Sequence, residues 1–592
     1  MSCELRMDID RNIRTIQLAN DSIEVIIDNS ADTIVISTDF TPNEKSFYQD
    51  IGSEYRTRLK KTVNIIQKCF QILKNGGLLF VYGLPRFLPY FGVFLDALQN
   101  KKSKMMFKYW IALDIDSRPP NETFPPAHTG LLMYLKSHKT KTPSPFHLNT
   151  KQVRIPYQEC RACGQITKDW GGKKHLLNPL GATISDVWSD LPKTFRETNV
   201  IPDFVLNRIY DLVKKPPFSF IHIIEPQTMK PTVQHSTPPL AKTTEVPQRN
   251  EANLKKLPVD EILLVDAIEY MKTIATEYPE GIFDLVFADP PYNLEKDYGE
   301  YEDLQSDQRY LAWCEDWLES MCKIIRPGGA LMILNLPKWC IHHAAFLNEL
   351  DDMIFRHWIV WDALSEPAGK IMPAHYALLY YTKKDGAITF NSPSPKDSDM
   401  LGPIDAPYYC LRSKCVKKRK ANGKDDKTDL NDFWWDIHRI KHKRDRDLHP
   451  CQLPIKLMKR IIKLTTNPND IVFDPFCGAG TTAIVAKMFK RHFITTDIDE
   501  KYVKIAMRNL KMLHPTLKGD YLIVRNSVTR SRKPAVPRKE IEIDYINLCK
   551  KEESVLSVEE VETIDYQLAD RIRSYYPNFK NLRKIAQRRL DW

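Results

Sequence analysis

The chain has 592 residues, of which 43% are hydrophobic, and this is sufficient for several globular domains with ordinary cores. Lysine and arginine outnumber aspartate and glutamate by 86 to 75, which leaves a formal net charge of +11. Such a charge favours polyanionic partners only weakly, because large proteins often carry a net charge for solubility alone.

The sequence also argues against export and membrane insertion. Glu4 and Asp8 precede any apolar run, which is not the pattern of a secretory signal. The most apolar stretch, residues 76–98, contains Pro85 and Arg86 and is predicted to form a buried strand followed by a helix. Twelve cysteines without an export signal are typical of reduced thiols. We therefore expect a cytoplasmic protein with no membrane segment.

The predicted elements of the first half recur in the second. A short buried strand at Asp32–Ile36 precedes a helix end, a Gly-Gly turn and another strand within Leu73–Pro85. Both segments return about 250 residues later, as Asp284–Ala288 and Ile325–Pro337. Further matches follow in the same order: Phe107–Ile111 with Phe355–Ile359, Pro126–His128 with Pro373–His375, Val187–Asp190 with Phe433–Asp436, and Pro202–Ile209 with Pro454–Ile461. A collinear series of this kind predicts two homologous halves.

The repeat and the local composition divide the chain into segments. We predict a first domain at 1–226, a linker rich in proline and small polar residues at 227–256, and a second domain at 257–512. An insertion at about 393–448 interrupts the second domain, and a helical extension occupies 513–592.

One candidate site follows the predicted strand Phe283–Ala288, in the tetrapeptide Asp289-Pro290-Pro291-Tyr292. Two consecutive prolines make a stiff loop without backbone donors. The Asp289 carboxylate and the Pro290 carbonyl could each accept one N–H of an exocyclic amine, and Tyr292 could stack on the base that carries it. Taken alone, this tetrapeptide is more often a turn than a catalytic site.

A second candidate site lies in a glycine-rich turn after the strand that ends at Asp474. Phe476, Gly478 and Gly480 precede Thr481 and Thr482, which open a helix, and this is the pattern of a nucleotide-type cofactor site. The turn lacks the Gly-Lys-Ser/Thr of a phosphate loop. The next strand ends in an acid, Asp497, at the place of a residue that accepts ribose hydroxyls. A purely structural turn is the alternative, which the flanking acids disfavour.

Together the two motifs resemble those of the DNA amino-methyltransferases, which carry a D/S/N-P-P-Y/F/W tetrapeptide and an F-x-G-x-G cofactor turn. The order here, tetrapeptide first, is that of the permuted, beta-type group, and the resemblance spans residues 258–512. It implies an α/β protein with a Rossmann-like S-adenosylmethionine-dependent methyltransferase fold, present twice, plus target-recognition insertions. Asp266 resembles the acid of the family's G-D-A segment, which contacts the adenine of the cofactor. His449–Pro454 resembles H-P-T-Q-K-P, with Leu453 in place of the lysine.

The resemblance implies a set of site residues. The expected catalytic residues are Asp289, Pro290, Pro291 and Tyr292. The expected cofactor-binding residues are Asp266, Gln452, Asp474, Phe476, Gly478, Gly480, Thr481, Thr482 and Asp497.

The first half lacks this chemistry. Ser37 stands in the position of Asp289, and no glycine-rich turn follows Lys214 and Lys215. We therefore expect an incomplete, degenerate and non-catalytic copy. A monomer with an internal pseudo-dimer follows as a hypothesis, in which one half methylates and the other grips DNA.

The implied reaction transfers a methyl group from S-adenosylmethionine to N6 of adenine in a specific sequence of double-stranded DNA, after base flipping. Aspartate at the first tetrapeptide position favours adenine within the family, and cytosine N4 is the alternative. A non-catalytic DNA-binding specificity factor is the alternative from another class. RNA is disfavoured, because no separate RNA-binding module is evident. A restriction–modification system, with a cognate restriction endonuclease and a nucleoid-associated location, is also expected.

Basic runs interleaved with tryptophans suggest where DNA binds, although a charge run is ordinarily a solvated face. The run Lys168–His175 in the first half could form a second such arm. The expected DNA-binding residues are Lys417, Lys418, Arg419, Lys420, Trp434, Trp435, Arg439, Lys443 and Arg444.

Four cysteines raise the question of a metal. Cys160 and Cys163 form a C-x-x-C pair, and Cys410 and Cys415 lie at a similar point of the second half. The four could bind one zinc ion if the halves bring them together. A cysteine pair without a partner nearby in sequence is more often structural, so we expect no metal.

Overall fold

A computed structural model describes the chain with gaps. The described residues are 4–8, 13–18, 31–38, 53–114, 124, 126–140, 142–167, 177–192, 200–215, 218–225, 257–294, 297–298, 301–302, 305–363, 370–391, 404–405, 408–410, 412–422, 427–428, 430–437, 439, 452–515, 521–523, 538–565, 568–569, 572 and 579–590. The chain forms two compact units, residues 1–510 and 511–592. The predicted linker at 227–256 lies outside the described residues, so the predicted domain boundaries there stay predictions.

The first half of the larger unit is built on an eight-stranded sheet of order β1-β2-β10-β3-β4-β6-β5-β9. Its strands are β1 (Glu4–Asp8), β2 (Ile13–Gln17), β3 (Ala31–Ser37), β4 (Leu73–Gly83), β5 (Ser103–Leu113), β6 (Thr129–His138), β9 (Val187–Trp188) and β10 (Phe220–Ile224). A separate hairpin pairs β7 (Arg154–Ile155) with β8 (Ala182–Thr183).

The second half has its own eight-stranded sheet of order β11-β22-β21-β12-β15-β17-β16-β20. Its strands are β11 (Glu261–Leu264), β12 (Phe283–Ala288), β15 (Ile325–Asn335), β16 (Met353–Asp362), β17 (His375–Lys383), β20 (Phe433–Trp434), β21 (Ile471–Asp474) and β22 (His492–Asp497). Strand β17 runs antiparallel to both neighbours, while β11, β22, β21, β12 and β15 are parallel. This parallel sheet with one reversed strand confirms the predicted Rossmann-like methyltransferase fold.

Helices pack against the sheets, and three further helices lie in the described part of the smaller unit. In the larger unit they are α1 (Ser53–Ile72), α2 (Leu88–Ala97), α3 (Asp203–Val213), α4 (Ala267–Glu277), α5 (Asp307–Ile324), α6 (Pro337–Asn348), α7 (Ser413–Ala421), α8 (Ile455–Thr465), α9 (Thr481–Met488) and α10 (Glu500–Lys511). The smaller unit contains α11 (Arg538–Lys551), α12 (Val558–Ile564) and α13 (Phe579–Leu590) around a core of its own.

Three short hairpins complete the described structure. They pair β13 (Asp297–Tyr298) with β14 (Tyr301–Glu302), β18 (Ile404–Asp405) with β19 (Lys427–Thr428), and β23 (Leu513–Pro515) with β24 (Tyr521–Ile523). None of the helices that the structure describes combines the length and the hydrophobicity needed to cross a bilayer.

The two sheets are built alike, as the repeat predicts. In β12, the buried Asp284 accepts a hydrogen bond from the backbone N–H of Ile471 in β21, 2.7 Å away, and from Arg326, 2.6 Å away. In β3, Asp32 accepts a hydrogen bond from the N–H of Ser219 at 2.9 Å and pairs with Lys74. The same type of carboxylate link therefore positions the central strands of both copies.

The first sheet is more complete than the sequence suggests. Strand β10 lies between β2 and β3 and is parallel to both, which is the place that β21 takes in the second sheet. This strand is difficult to predict from sequence, because it follows Pro216 and Pro217 and does not lead into a glycine-rich turn. The degeneracy of the first copy thus lies at the ends of its strands, and its sheet retains all the central positions.

The two halves contact each other reciprocally. Asp186 accepts hydrogen bonds from the backbone N–H groups of Ala374 and His375, at 2.7 and 3.0 Å. Its counterpart in the second half, Asp432, accepts one from the N–H of Ala127 in the first half, at 2.7 Å. Each half therefore offers a buried carboxylate to the same backbone segment of the other, as in the self-complementary interface of a two-fold dimer.

Apolar packing joins the halves at the centre of this contact. The indole rings of Trp110 and Trp358, which occupy equivalent positions of the repeat, stack with centroids 3.8 Å apart and an interplanar angle of 11°. Both are buried, and one continuous hydrophobic core contains residues of both halves. Helices α2 and α6 pack against each other beside this pair.

The stacked tryptophans provide a test of the contact between the halves. Trp110→Ala and Trp358→Ala should each destabilise the protein by about 3–5 kcal/mol, because each removes a large buried ring. The double variant should lose clearly less than the sum, since either single change already removes the stacking. Thermal unfolding of the four proteins measures this, with Trp110→Phe as the conservative control. Additive losses would show that the two rings contribute independently.

Candidate active site

The two predicted motifs meet at the carboxyl edge of the second sheet. Strands β12 and β21 are adjacent and parallel, with Leu285 opposite Val472 and Val286 opposite Phe473. The loops that follow them therefore emerge side by side at the point where the strand order reverses, which is the usual place of a ligand site in such sheets.

An open cleft lies between these loops. Three residues of the tetrapeptide and all expected cofactor-binding residues except Gly480 line it: Asp266, Asp289, Pro290, Pro291, Gln452, Asp474, Phe476, Gly478, Thr481, Thr482 and Asp497. Gly480 lies within the same turn, directly before α9.

Left-handed backbone conformations explain the glycines of the turn. Gly478 has φ 50° and Gly480 has φ 79°, values that side chains with a Cβ rarely adopt. Gly480 also packs tightly, because a Cβ added there would lie 2.8 Å from the Cβ of Ala506 in α10. These constraints let the chain turn sharply from β21 into α9 and bring its backbone to the cleft.

Asp474 stabilises the glycine-rich turn by hydrogen bonds. Its buried carboxylate accepts hydrogen bonds from the Thr482 hydroxyl at 2.5 Å and the Phe476 N–H at 2.9 Å. Burial raises the pKa of Asp474 to about 7, and the nearby Asp497 adds to the rise. Asp474 and Thr482, both expected to bind a cofactor, therefore hold the turn in shape as well as lining the cleft.

Two further acids, Asp497 and Asp266, also line the cleft. Asp497, at the end of β22, accepts hydrogen bonds from the N–H groups of Gly478 and Asp499, at 2.9 and 3.0 Å. Burial raises the pKa of its carboxyl group. Asp266 caps α4 by accepting hydrogen bonds from the N–H groups of Ile268 and Glu269, so its position is fixed by the helix start.

The tetrapeptide forms a rigid loop held by aromatic residues. The Tyr292 hydroxyl donates a hydrogen bond to Asp289 Oδ1 at 2.5 Å. Tyr310 donates to the Pro291 carbonyl at 2.7 Å, and Trp339 donates to the Tyr292 carbonyl at 2.8 Å. Tyr292 is only 3% exposed. In the structure Tyr292 contacts the Asp289 carboxylate, and its stacking on a base stays a prediction.

Several lining residues were not predicted. Trp313 of α5 packs on Phe476 with ring centroids 5.7 Å apart, and Ile498 is 52% exposed next to Asp497. Phe287 and Tyr502 also line the cleft. Ile498 could have been found, since an apolar residue directly after the strand-end acid has no core to enter. Nothing in the local sequence of Trp313 distinguishes it from other apolar positions of α5.

The predicted DNA-binding residues divide into two groups. Lys417, Lys418 and Lys420 are exposed on α7, as expected of a nucleic-acid contact. Arg419 and Trp434 are 2% and 0% exposed, and this is a correction, because buried side chains cannot contact a phosphate or a groove. Arg419 donates hydrogen bonds to the Cys410 carbonyl and to Cys415 Sγ. Trp434 lies under Arg460 in the core.

Of the remaining predicted DNA-binding residues, Trp435 and Arg439 are partly buried. Trp435 is half-buried and packs against two of the hydrophobic clusters of the larger unit. Arg439 donates a hydrogen bond to the Tyr376 hydroxyl at 2.7 Å, and the Tyr376 ring lies 6.0 Å from that of Tyr292. Lys443 and Arg444 lie outside the described residues, as do the basic residues at 173–175 of the first half.

The position of the first half that is equivalent to Asp289 is buried. Ser37, at the position of Asp289, is buried and lies 2.9 Å from His222 Nε2, and its hydroxyl oxygen accepts the N–H of Ile201 at 3.0 Å. By strand register His222 occupies the position of Asp474. Burial lowers the pKa of His222 to about 4, so a neutral Ser–His pair replaces the two carboxylates.

The cysteines of the two halves do come together. The sulfur atoms of Cys160, Cys163, Cys410 and Cys415 all lie within 4.8 Å of one another. The expectation of no metal rested on the absence of a partner for the C-x-x-C pair, and the structure supplies that partner from the other half.

Comparison with known proteins places this architecture in a family. The profile of the DNA methylase family matches residues 31–255 and again 283–508, so it covers both halves and most of the chain. The chain therefore belongs to the DNA methylase family. The double match agrees with the internal repeat.

Individual relatives align with a part of the chain. Type II methyltransferase M.BamHI of Bacillus amyloliquefaciens is 34% identical over 253 residues, which cover 41% of this chain and 56% of the relative. M.HpaI of Haemophilus parainfluenzae is 31% identical, with 42% and 73% covered. DNA adenine methyltransferase YhdJ of Escherichia coli is 28% identical, with 41% and 80% covered. The chain thus spans little more than half the length of M.BamHI.

The raised pKa of Asp474 predicts how the stability of the protein depends on pH. Because its pKa is higher in the folded protein than in the unfolded chain, its contribution to stability is complete below about pH 4 and is lost as the pH rises through about 7. Asp474→Asn removes this loss, which amounts to at most about 4 kcal/mol. Its Tm should therefore fall less than that of the wild type between pH 5 and 8.

The matched control is Asp385→Asn, which changes an exposed aspartate with φ 60° that asparagine also tolerates. This control should reproduce the wild-type dependence of Tm on pH. Parallel profiles for Asp474→Asn and the wild type would contradict the assignment of a raised pKa to Asp474.

Proposed function

We propose that the second half transfers a methyl group from S-adenosylmethionine to the exocyclic N6 of adenine in double-stranded DNA. The observation that carries the proposal is that Asp289 and the turn around Gly478 face one cleft, at the reversal of the strand order. Methylation of cytosine N4, the alternative reaction, would use the same chemistry, since adenine and cytosine both present an exocyclic amine.

The carboxylates and apolar side chains of the cleft fit a nucleoside that carries a positive charge. Asp497 and Asp266 offer carboxylates to the cleft, and Ile498 and Trp313 offer apolar faces for a purine ring. Asp474 and the backbone of the glycine turn lie deeper. Bound there, S-adenosylmethionine would supply the electrophilic methyl group. The carboxylates would favour its cationic groups, and Asp497 would accept ribose hydroxyls.

The tetrapeptide provides the acceptor side. An exocyclic amine donates two hydrogen bonds, and the Asp289 carboxylate and the Pro290 carbonyl are the acceptors on this loop. Tyr292 fixes the carboxylate by its 2.5 Å hydrogen bond, and Tyr310 fixes the loop through Pro291. Holding the amine in line with the methyl group is the main contribution of such a site.

The target base must leave the duplex to reach this cleft, at a cost of a few kcal/mol. Aspartate at position 289 supports adenine as the base. The relative YhdJ carries the name of an adenine methyltransferase, which agrees with this choice. Cytosine N4 remains an outcome that product analysis distinguishes.

The first half serves as a non-catalytic partner in an internal pseudo-dimer. The reciprocal contacts of Asp186 and Asp432 and the stacked Trp110 and Trp358 support this arrangement. The buried Ser37–His222 pair leaves no carboxylate for an amine at the equivalent position. We also propose a restriction–modification setting in the cytoplasm, with an endonuclease of the same specificity as partner.

A matched pair of variants tests the active site. Asp289→Ala should abolish methylation of DNA, because it removes the acceptor of the amine N–H, while the protein should retain its Tm. Ser37→Ala changes the equivalent position of the first half and should keep full activity. Transfer of labelled methyl groups to DNA gives the rate, and mass spectrometry of digested nucleosides identifies the product base.

The outcomes separate the alternatives. N6-methyladenine in the digest supports the proposal, and N4-methylcytosine would replace adenine by cytosine. Methylation that persists in Asp289→Ala would contradict the catalytic role of Asp289. No methylation by the wild type on DNA from methylation-deficient cells would leave a DNA-binding specificity factor as the better description. Single-molecule sequencing of DNA from expressing cells then gives the methylated sequence.

The exposed lysines of α7 provide a second test. Lys417→Ala combined with Lys418→Ala should weaken DNA binding for all sequences alike and lower the salt slope of log K by about 2, since each lysine neutralises about one phosphate. Lys60→Ala combined with Lys61→Ala, another adjacent exposed pair on α1, is the control. Fluorescence anisotropy at several salt concentrations measures the slope. Equal slopes for both pairs would exclude α7 from the DNA interface.

A further inference from the structure

Four cysteine thiols meet where a hairpin of the first half approaches a helix of the second. Cys160 and Cys163 lie in a tight turn, in which the N–H groups of Cys163 and Gly164 both donate to the Cys160 carbonyl. The segments on either side pair with each other, through Cys160 N–H to the Gln165 carbonyl at 2.7 Å and Thr167 N–H to the Gln158 carbonyl at 2.7 Å. This is a preformed knuckle that presents two sulfurs in one direction.

The second pair comes from the start of helix α7. Cys410 precedes the helix and Cys415 lies in its first turns, where it faces inward while Lys417 and Lys418 face solvent. The two segments are also joined by backbone and side-chain contacts. Arg161 N–H donates to the Tyr408 carbonyl at 3.1 Å, and the Arg161 guanidinium lies 4.1 Å from the centre of the Tyr408 ring.

The distances between the sulfurs match one tetrahedral metal ion. Cys160 and Cys415 Sγ are 3.8 Å apart, and Cys163 and Cys410 Sγ are 3.7 Å apart. A tetrahedral zinc ion with Zn–S bonds of about 2.3 Å separates its sulfurs by about 3.8 Å. A disulfide would require about 2.05 Å. A cluster of several iron atoms places its four thiolates further apart than those of a single ion.

The surroundings suit thiolates. The N–H of Cys410 donates to Cys160 Sγ at 3.3 Å, and Arg419 Nη1 donates to Cys415 Sγ at 3.2 Å. The Arg419 guanidinium also lies over the Tyr409 ring. Four thiolates around a divalent ion carry an excess of two negative charges, which these donors and the buried arginine offset. The contact with Cys415 therefore explains why Arg419 is buried.

We propose that Cys160, Cys163, Cys410 and Cys415 bind one structural zinc ion that ties the first half to the start of α7. The closed set of four protein ligands leaves no position for a substrate, so the site is structural. It fixes a helix whose other face carries exposed lysines to the hairpin of the opposite half. This proposal stands on the cysteine geometry and does not depend on the methylation reaction.

Metal analysis of the full-length protein tests the site. The wild type, purified without chelators, should contain close to one zinc ion per chain by inductively coupled plasma mass spectrometry. Cys163→Ser and Cys410→Ser should each lose most of it, whereas Cys322→Ala, which removes a buried thiol of α5, should keep it. A chelator should lower the Tm of the wild type but not that of Cys163→Ser.

Wild-type spectroscopy keeps the test independent of whether the variants fold. Replacement of the metal by Co²⁺ should produce the intense absorption of tetrahedral cobalt bound by four thiolates. Wild-type protein without zinc and without this absorption would overturn the proposal, as would a disulfide between these cysteines in non-reducing mass spectrometry. Iron in place of zinc would overturn the identity of the metal.

Discussion

Parallel pairing of β12 with β21 brings the candidate site together. The pairing is secured by a buried carboxylate, Asp284, which accepts the N–H of Ile471 and holds Arg326. Because both strands end at the same edge, a tetrapeptide and a glycine turn about 185 residues apart in sequence share one cleft. The prolines stiffen one side, and the left-handed glycines bring the backbone close on the other. The chemistry proposed for the protein depends on this one strand pair.

The first half shows how the same framework can lose the site. Asp32 forms the equivalent link to β10, and the ion pair of Arg208 with Asp190 repeats that of Arg460 with Asp436. The strands and these supports persist because the core needs them. The strand ends carry no such requirement, and there a buried Ser37–His222 pair occupies the place of the carboxylates.

The first half, which has no carboxylate at the position of Asp289, contacts the second half at buried positions. Asp186 and Asp432 exchange hydrogen bonds with the opposite half, and Trp110 stacks on Trp358 between them. At a separate place the cysteine cluster connects a hairpin of the first half to α7, the helix with the exposed lysines. The contact between the halves and the proposed zinc site would thus be two independent means of holding the proposed DNA-binding helix α7 in place.

The sequence by itself determined the repeat, the α/β class, the two motifs and about half of the residues that line the cleft. These features are local, since a strand followed by Asp-Pro-Pro-Tyr or by a glycine turn carries its own signal. Only the tertiary structure decided which side chains are buried. It placed Trp434 and Arg419 in the interior, turned Tyr292 towards Asp289, and added β10 to the first sheet. It also brought the thiols of Cys160 and Cys415 within 3.8 Å, because packing between halves unites residues that no local pattern relates.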